Sequence, residues 1–289
     1  MEQISFLLKL IEEKKIKKKK QGEEKQLEEK EQGGSGKAGL KSRESESLKL
    51  MWSEISDGIK FLKALSPSQK IVIIAEVKKA SPSAGKIKET DVVELAKIYQ
   101  NGGADAISVL TEENYFGGSK DDLFKVAKSI NLPVLRKDFI IYEYEIYETK
   151  KLGASSILLI SEALEHKKLE EFIKLTQNVN LEPLVECFSE EGMEKIIKLK
   201  NQPKIIGINS RNLHTLEVDL NRIKQIYKKF RKFLENKIVV AESGIKTKKD
   251  ISSIVKEGIT RFLIGETLMK SENPAETIKE FKSAFSEQK

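Results

Sequence analysis

Eight short apolar runs, each followed by a charged segment with helical apolar spacing, predict an α/β chain folded as a (β/α)8 TIM barrel with extra N-terminal helices. The runs begin near Ile71, Asp105, Pro133, Ser155, Pro183, Lys204, Lys237 and Arg261. Runs apolar on both faces are typical of buried parallel strands, and strand–helix alternation supplies the crossovers that parallel pairing requires. Eight such units close a barrel whose interior side chains fill. An open doubly wound sheet gives a similar pattern. However, no Gly-x-Gly-x-x-Gly turn follows the first strand, which counts against the dinucleotide-binding form of that fold.

Ile4, Leu7, Leu8 and Ile11 fall at helical spacing, so residues 2 to about 13 read as a short amphipathic helix. Composition then changes. Lys14 to Ser47 is Lys, Glu, Gln, Gly and Ser, with six lysines between Lys14 and Lys20. Such a segment lacks the apolar surface to offset its ordering entropy, so it is expected to be solvated and dispensable for turnover. Residues 1–47 are thus read as an N-terminal helix and a low-complexity charged segment, and residues 48–289 as the barrel with a preceding helix. That helix is marked by Leu48, Trp52, Ile55, Ile59 and Leu62 and stops at Ser66-Pro67. Trp52 is expected to anchor it. Later helices end in Gly before the next strand, as at Gly102-Gly103, Gly153 and Gly258.

With 52 Lys+Arg against 45 Asp+Glu, the net charge is +7, a surface that suits acidic small molecules without requiring nucleic acid. One cysteine, Cys187, excludes an internal disulfide framework and fits a reducing cytoplasm. The two histidines, His166 and His214, have no partner at ligand spacing, so no metal site is expected. No apolar run approaches the roughly 20 residues of a membrane span.

Catalytic groups of such barrels stand at the C-terminal strand ends. Side chains alternate along a strand, so Val72, Ile74, Glu76 and Lys78 share one face. The same alternation pairs Leu135 with Lys137, Leu184 with Glu186, Gly207 with Asn209, and Val240 with Glu242. One mouth therefore gathers Glu76, Lys78, Lys137, Glu186, Asn209 and Glu242, a convergence that scattered surface charge does not produce. At the last two ends, Ser243-Gly244 and Gly265-Glu266 put glycines where backbone N–H groups can approach an anion. Glu266 would offer only its N–H there. Pro82, Phe116 and Phe139 lie in loops above the mouth and can flank an aromatic ring. Cys187 follows Glu186 and so faces the outer helices as a core thiol.

Seven segments together resemble the indole-3-glycerol-phosphate synthase family. They are Glu-Val-Lys-Lys-Ala-Ser-Pro-Ser-Ala-Gly (76–85), Val-Leu-Thr-Glu (109–112), Val-Leu-Arg-Lys-Asp-Phe (134–139), Pro-Leu-Val-Glu (183–186), Gly-Ile-Asn-Ser-Arg-Asn-Leu (207–213), Ala-Glu-Ser-Gly-Ile (241–245) and Leu-Ile-Gly-Glu (263–266). The likeness runs from about residue 48 to 289. Residues 14–47 depart from the family's terser N-terminal joint, and Cys187-Phe188 departs from its more usual Val-His.

The resemblance implies ring closure of 1-(2-carboxyphenylamino)-1-deoxyribulose 5-phosphate with loss of CO2 and water. It implies Lys137 as acid and Glu186 as base, with Lys78 and Glu76 at the substrate's anionic groups and Asn209 and Glu242 binding hydroxyls or orienting the lysines. Arg211 with the Ser243, Gly244, Gly265 and Glu266 backbone would hold phosphate, and Ser81, Pro82, Phe116 and Phe139 the aromatic ring. No cofactor is implied, because only protons are shuttled. The expected partner is this small sugar phosphate alone, bound by a monomer or weak oligomer in the cytoplasm, with neither nucleic acid nor membrane. Two alternatives are a Schiff-base aldolase using Lys137 or Lys78, and a barrel without chemistry that uses its lysine-rich tail as a scaffold.

Overall fold

The structure is a computed structural model that describes residues 5–31, 58–67, 70–81, 85–86 and 91–285. Eight parallel strands close on themselves: β1 (Val72–Val77), β2 (Ala106–Leu110), β3 (Val134–Lys137), β4 (Ser156–Ile160), β5 (Glu182–Cys187), β6 (Ile205–Asn209), β7 (Ile238–Glu242) and β8 (Arg261–Ile264). Each pairs with its neighbour in the chain, and β1 also pairs with β8 through Val72 opposite Arg261. All eight fall within a residue or two of the expected runs.

Two apolar shells follow from the alternation. Val72, Ile74, Leu135, Leu158, Leu184, Ile205, Val240 and Leu263 fill the barrel interior. Ile73, Ala75, Ile107, Val109, Ile157, Val185 and Cys187 face the surrounding helices. Those helices start where the sequence offers caps: the Asp91 carboxylate accepts from the N–H groups of Val93 and Glu94, and Thr247 forms a capping box with Asp250. Gly103, Gly153 and Gly258 take left-handed backbone at three helix-to-strand turns, which favours glycine there.

Among the described residues, two N-terminal helices close the ends of the barrel. Helix α2 (Gly58–Leu65) lies under the floor, with Phe61 and Leu65 fully buried among the interior residues. Burying each of those side chains contributes on the order of 2 kcal/mol. Its start docks on backbone, the Gly58 N–H donating to the Asn180 carbonyl at 3.0 Å. Helix α1 (Phe6–Glu31) crosses the opposite, C-terminal face. The N–H groups of Phe6 and Leu7 donate to the carbonyls of His214 and Leu213, and Leu7 and Leu10 are buried against the interior cluster.

This revises one expectation. The helix does not stop near residue 13 but continues to Glu31, through the first half of the segment read as solvated. Lysines up to position 18 carry it past the expected end. Lys14 makes ion pairs of 2.9 Å with both Asp138 and Glu145, and Lys17 meets Glu113 at 2.7 Å. Lys18 sits 3.9 Å and 4.2 Å from the ring centroids of Tyr142 and Tyr144. Positions 7, 10, 14, 17 and 18 lie on one helical face, so the apolar stripe is continued by ionic and cation–π contacts. The remainder of that segment, and Trp52 with its expected anchoring role, lie outside the described residues.

A Cβ added at Gly58 would stand 2.7 Å from the Glu182 nitrogen and the Leu181 carbonyl carbon. Gly58→Ala is therefore expected to lift α2 from the floor and destabilise the fold by about 1–3 kcal/mol, which thermal unfolding would read. An unchanged midpoint would mean that α2 does not pack this closely.

Candidate active site

The interior phase of the strands brings six predicted residues to one mouth. The Lys137 ammonium lies between two carboxyl groups, 3.1 Å from Glu186 and 3.2 Å from Glu242. The Asn209 amide donates to the second Glu186 oxygen at 3.1 Å. Its own carbonyl oxygen accepts the Arg211 N–H at 2.9 Å, which fixes the orientation of the amide. Across the mouth, Lys78 pairs with Glu76 at 3.0 Å. Glu76, Glu186 and Glu242 are almost completely buried, so each charge here depends on its neighbours.

Those neighbours push the two carboxyls of the Lys137 cluster in opposite directions. Burial alone would raise Glu186, but Lys137, with hydrogen bonds from Glu242 and Asn209, brings its pKa below the ordinary carboxylate range. Burial dominates at Glu242, and with the nearby Glu186 charge it holds that group well above the usual range despite Lys137. Burial opposes the charge on Lys137 too, yet Glu186, Glu242 and Glu76 together raise its pKa. Burial and the neighbouring charge thus favour the neutral form of Glu242, while Lys137 favours the charged form of Glu186. The remaining Glu76 oxygen, Oε2, is buried without a hydrogen-bond partner in the protein.

Two glycines make room for these carboxylates. A Cβ at Gly207 would fall 2.1 Å from Glu242 Oε1, and one at Gly265 would fall 2.3 Å from Glu76 Oε1. Gly265 thus has a second role beside the one its sequence context suggested.

The predicted anion-binding residues border the same cleft, of about 1070 Å3, on its β7–β8 side. Ser243 and Gly244 are consecutive left-handed residues, with φ of 65° and 74°. That conformation is strained for the serine, and such strain persists where surrounding contacts hold it. Here the Ser210 hydroxyl donates to the Ser243 carbonyl at 2.9 Å, and the Thr267 hydroxyl ties the Ile245 carbonyl to helix α11 (Glu266–Lys270). The Glu266 carboxylate pairs with Lys270 at 2.6 Å, and both residues line the cleft. Arg211 lines the cleft, its guanidinium donating to the Leu216 carbonyl at 3.1 Å. Lys246 and Lys270 stand at the same end.

Phe116 and Phe139 form an aromatic corner, their ring centroids 6.2 Å apart, and both line the cleft with Leu110, Ile160 and Leu213. Ser81 forms a two-residue hairpin strand with Ala80, paired to Gly85–Lys86, and is placed through its backbone only. Pro82 lies outside the described residues.

Two other strand-end carboxylates turn out of the mouth. Glu112 accepts the N–H groups of Asn114, Tyr115 and Phe116, and so shapes the loop that presents Phe116. Glu162 accepts those of Phe188 and Ser189 at the start of helix α7 (Glu190–Ile197). The apolar lining was available from the same alternation, since Leu158 and Ile160 share the interior phase. Leu213 and Lys14 had no such signal. Among the described residues, no three carboxylate, imidazole or thiol side chains are grouped so that they could hold a metal ion, and no helix is long and apolar enough to cross a membrane.

Residues 24–281 match the family model for indole-3-glycerol phosphate synthase. The chain is 47% identical over 208 residues to the enzyme of that name from Aquifex aeolicus, covering 72% of this chain and 80% of the relative. It is 44% identical over 240 residues to the one from Priestia megaterium, covering 82% and 92%. Among solved structures, a 3-hexulose-6-phosphate synthase superposes with a TM-score of 0.57 at 16% identity, over 74% of this chain and 99% of that one. A thiamine phosphate pyrophosphorylase from Pyrococcus furiosus gives 0.55 at 16% identity, over 76% and 97%. At such identities these two likenesses speak for the barrel fold alone.

The close approach at Gly207 offers a test of the cluster that leaves every charged residue in place. Gly207→Ala is expected to push the Glu242 carboxyl off Lys137 and cost about 10²-fold in turnover, with the circular dichroism spectrum unchanged, because misplacement by an ångström is enough. Parental turnover would show that the Glu242–Lys137 contact is not needed.

Proposed function

The chain belongs to the indole-3-glycerol phosphate synthase family, and we propose that it closes the indole ring with Lys137 as general acid and Glu186 as general base. The substrate, 1-(2-carboxyphenylamino)-1-deoxyribulose 5-phosphate, carries an aryl carboxylate, a ketone and a phosphate. The aryl carbon bearing the carboxylate attacks the ketone, and the carbonyl oxygen takes up a proton as the bond forms. CO2 then leaves and restores the aromatic ring, after which water leaves with loss of a further proton.

The observation that carries this reading is Lys137 held between Glu186 and Glu242. A ketone is a weak base, whereas the alkoxide formed by attack on it is a strong one. An ammonium whose pKa is held up keeps its proton until that alkoxide develops, and so stabilises the transition state more than the bound substrate. Once Lys137 has given up its proton, the charge that kept Glu186 acidic is gone. Glu186 becomes the stronger base at the stage when the later proton must be lost. Asn209 holds the Glu186 carboxylate in place meanwhile.

The other residues divide by location. Lys78, steadied by Glu76, holds the substrate's anionic groups. The buried Glu76 Oε2 is an acceptor for a ribulose hydroxyl. Arg211 and the backbone N–H groups of Ser243, Gly244, Gly265 and Glu266 hold the phosphate. Phe116 and Phe139 take the aromatic ring, and Ser81 and Pro82 are assigned to the same ring by the family resemblance. A Schiff-base aldolase needs a neutral amine, and two carboxyl groups around Lys137 favour the opposite protonation state. The reaction is assigned to the cytoplasm, carried out by a monomer or weak oligomer without nucleic acid. A single buried cysteine fits a reducing compartment.

Three substitutions separate chemistry from binding. General acid or base groups typically contribute about 10²–10⁴-fold, so Lys137→Met and Glu186→Gln are each expected to lower kcat by that factor with KM changed far less. Lys78→Met is expected to raise KM as well. Steady-state kinetics followed by the fluorescence of indole-glycerol phosphate would decide. A Lys137→Met enzyme that kept its kcat and lost only affinity would pass the acid role to Lys78.

The phosphate anchor has its own test. Glu266→Ser is expected to leave kcat in place and to leave or lower KM, since only its N–H faces the anion, whereas Arg211→Met is expected to raise KM. Loss of binding in Glu266→Ser would give its carboxylate a role at the phosphate that this reading denies.

A further inference from the structure

We propose that Lys14 is a positioning residue for the reaction: from helix α1 it holds the Asp138–Phe139 turn that follows Lys137, and so sets where the acid's ammonium and the aromatic wall stand. The proposal rests on Lys137 being the acid.

The Lys14 ammonium has three acceptors, one for each of its protons. They are Asp138 Oδ1 at 2.9 Å, the Phe139 carbonyl at 2.6 Å and Glu145 Oε1 at 2.9 Å. Each acceptor is already committed to the turn leaving β3. Asp138 Oδ1 also accepts the Phe139 N–H at 2.7 Å, and Glu145 Oε2 accepts the N–H groups of Ile141 and Tyr142, each at 2.8 Å. Lys14 therefore joins the first residue of the turn, its second residue and the helix that ends it (Glu143–Lys151) at one point.

The socket is charged, and its carboxylates next to β3 are buried. Asp138, Glu145 and Arg136 are almost fully buried. Arg136 pairs with Asp138 at 3.3 Å and with Glu148 at 2.9 Å, and Lys120 meets Glu148 at 2.7 Å. Three cations, Lys14, Arg136 and Lys120, thus face three carboxylates. Burial would raise Asp138, but Lys14 and then Arg136 hold its pKa down to about 2. Removing Lys14 leaves Asp138, the residue after Lys137, with Arg136 as its remaining cation and takes from the buried Glu145 carboxylate its ion-pair partner. Uncompensated buried charge is relieved by movement or protonation, and either alters the turn.

Two neighbours make movement there consequential. Lys137 is the last residue of β3, and Phe139 lines the cleft against Phe116. Lys14 is itself anchored, because Leu7 and Leu10 are buried with Phe188 and Leu213, and the start of α1 is bonded to the loop after β6. The charge on Lys14 thus ties the strand carrying the acid to the far side of the mouth, where Asn209 and Arg211 arise.

The test compares Lys14→Met with Lys14→Arg and Lys18→Ala in the full-length chain, reading kcat, KM and the thermal midpoint. Lys14→Met is expected to lower kcat about 10-fold, part of the roughly 10²-fold cost of displacing a reacting group by an ångström. Lys14→Arg, which keeps the charge but not the three-point fit, is expected to recover most of that loss while still falling short of the parent. Lys18→Ala removes a contact of the same helix with Tyr142 and Tyr144 and is expected to keep parental kcat. Two results would overturn the proposal. One is a Lys14→Met enzyme with parental kcat and only a lowered thermal midpoint, which would make Lys14 a stabilising contact. The other is a Lys18→Ala loss equal to that of Lys14→Met, which would assign the effect to helix docking in general. If Lys14→Met does not fold, parental kcat in Lys14→Arg decides against the proposal. Failure of the Lys137 assignment is seen separately, as residual kcat in Lys137→Met.

Discussion

The site depends on one arrangement, an ammonium shared by two buried carboxyl groups at the end of a closed sheet. Outside the barrel, Lys137, Glu186 and Glu242 would each be better solvated alone. Inside it, the strands fix their Cα positions, so desolvation cannot be relieved by moving apart. The two carboxyls respond in opposite directions, Glu186 drawn down by Lys137 and Glu242 pushed up by burial. Closure of the sheet is therefore a condition of the chemistry. An open sheet would leave β1 and β8 unpaired and would separate Glu76 from Gly265, against which its carboxylate fits.

The mouth has two halves of different construction. On the β3, β5 and β7 side, long charged side chains reach inward and compete for one another. On the β7–β8 loop side the work falls to backbone, held in left-handed turns by hydroxyl groups from Ser210 and Thr267. Side chains that exchange protons can tolerate small movement, since their hydrogen bonds re-form. A backbone cradle has no such freedom, and its position must be set by the loops around it. Glu242 and Ser243 are adjacent residues, so the junction of the two halves falls within one strand end.

How much of this was legible in the sequence depended on phase. The eight strands announced themselves as apolar runs, and alternation along them placed Glu76, Lys137, Glu186, Asn209 and Glu242 on the inner face without further information. The same rule sent Cys187 outward, where it is found. Glu112 and Glu162 also stand at strand ends, yet each is taken up by the N–H groups of its own or the next loop, a local competition that periodicity does not encode. Helix α1 was the larger surprise. Lysines at positions 14, 17 and 18 read as solvated because nothing in their own neighbourhood shows acceptors. Those acceptors, Asp138, Glu113 and the Tyr142–Tyr144 pair, lie about a hundred residues or more away in the chain. Long-range ionic complementarity leaves no local trace.

The anchoring of α1 also bears on the order in which the molecule is made. Ser5 and Phe6 meet His214, and the Ser5–His214 pair is 209 residues apart in sequence. During synthesis the first helix therefore emerges long before the loop that will receive it, and it has only a narrow apolar stripe to bury in the interval. Domains acquire such distant contacts late, because loop closure comes before the reward. Six of the eight strands must leave the ribosome before the cover can seat. The lysines that make α1 a poor helix to bury are also what keeps it soluble while it waits, so one run of charge serves the nascent chain first and the finished mouth afterwards.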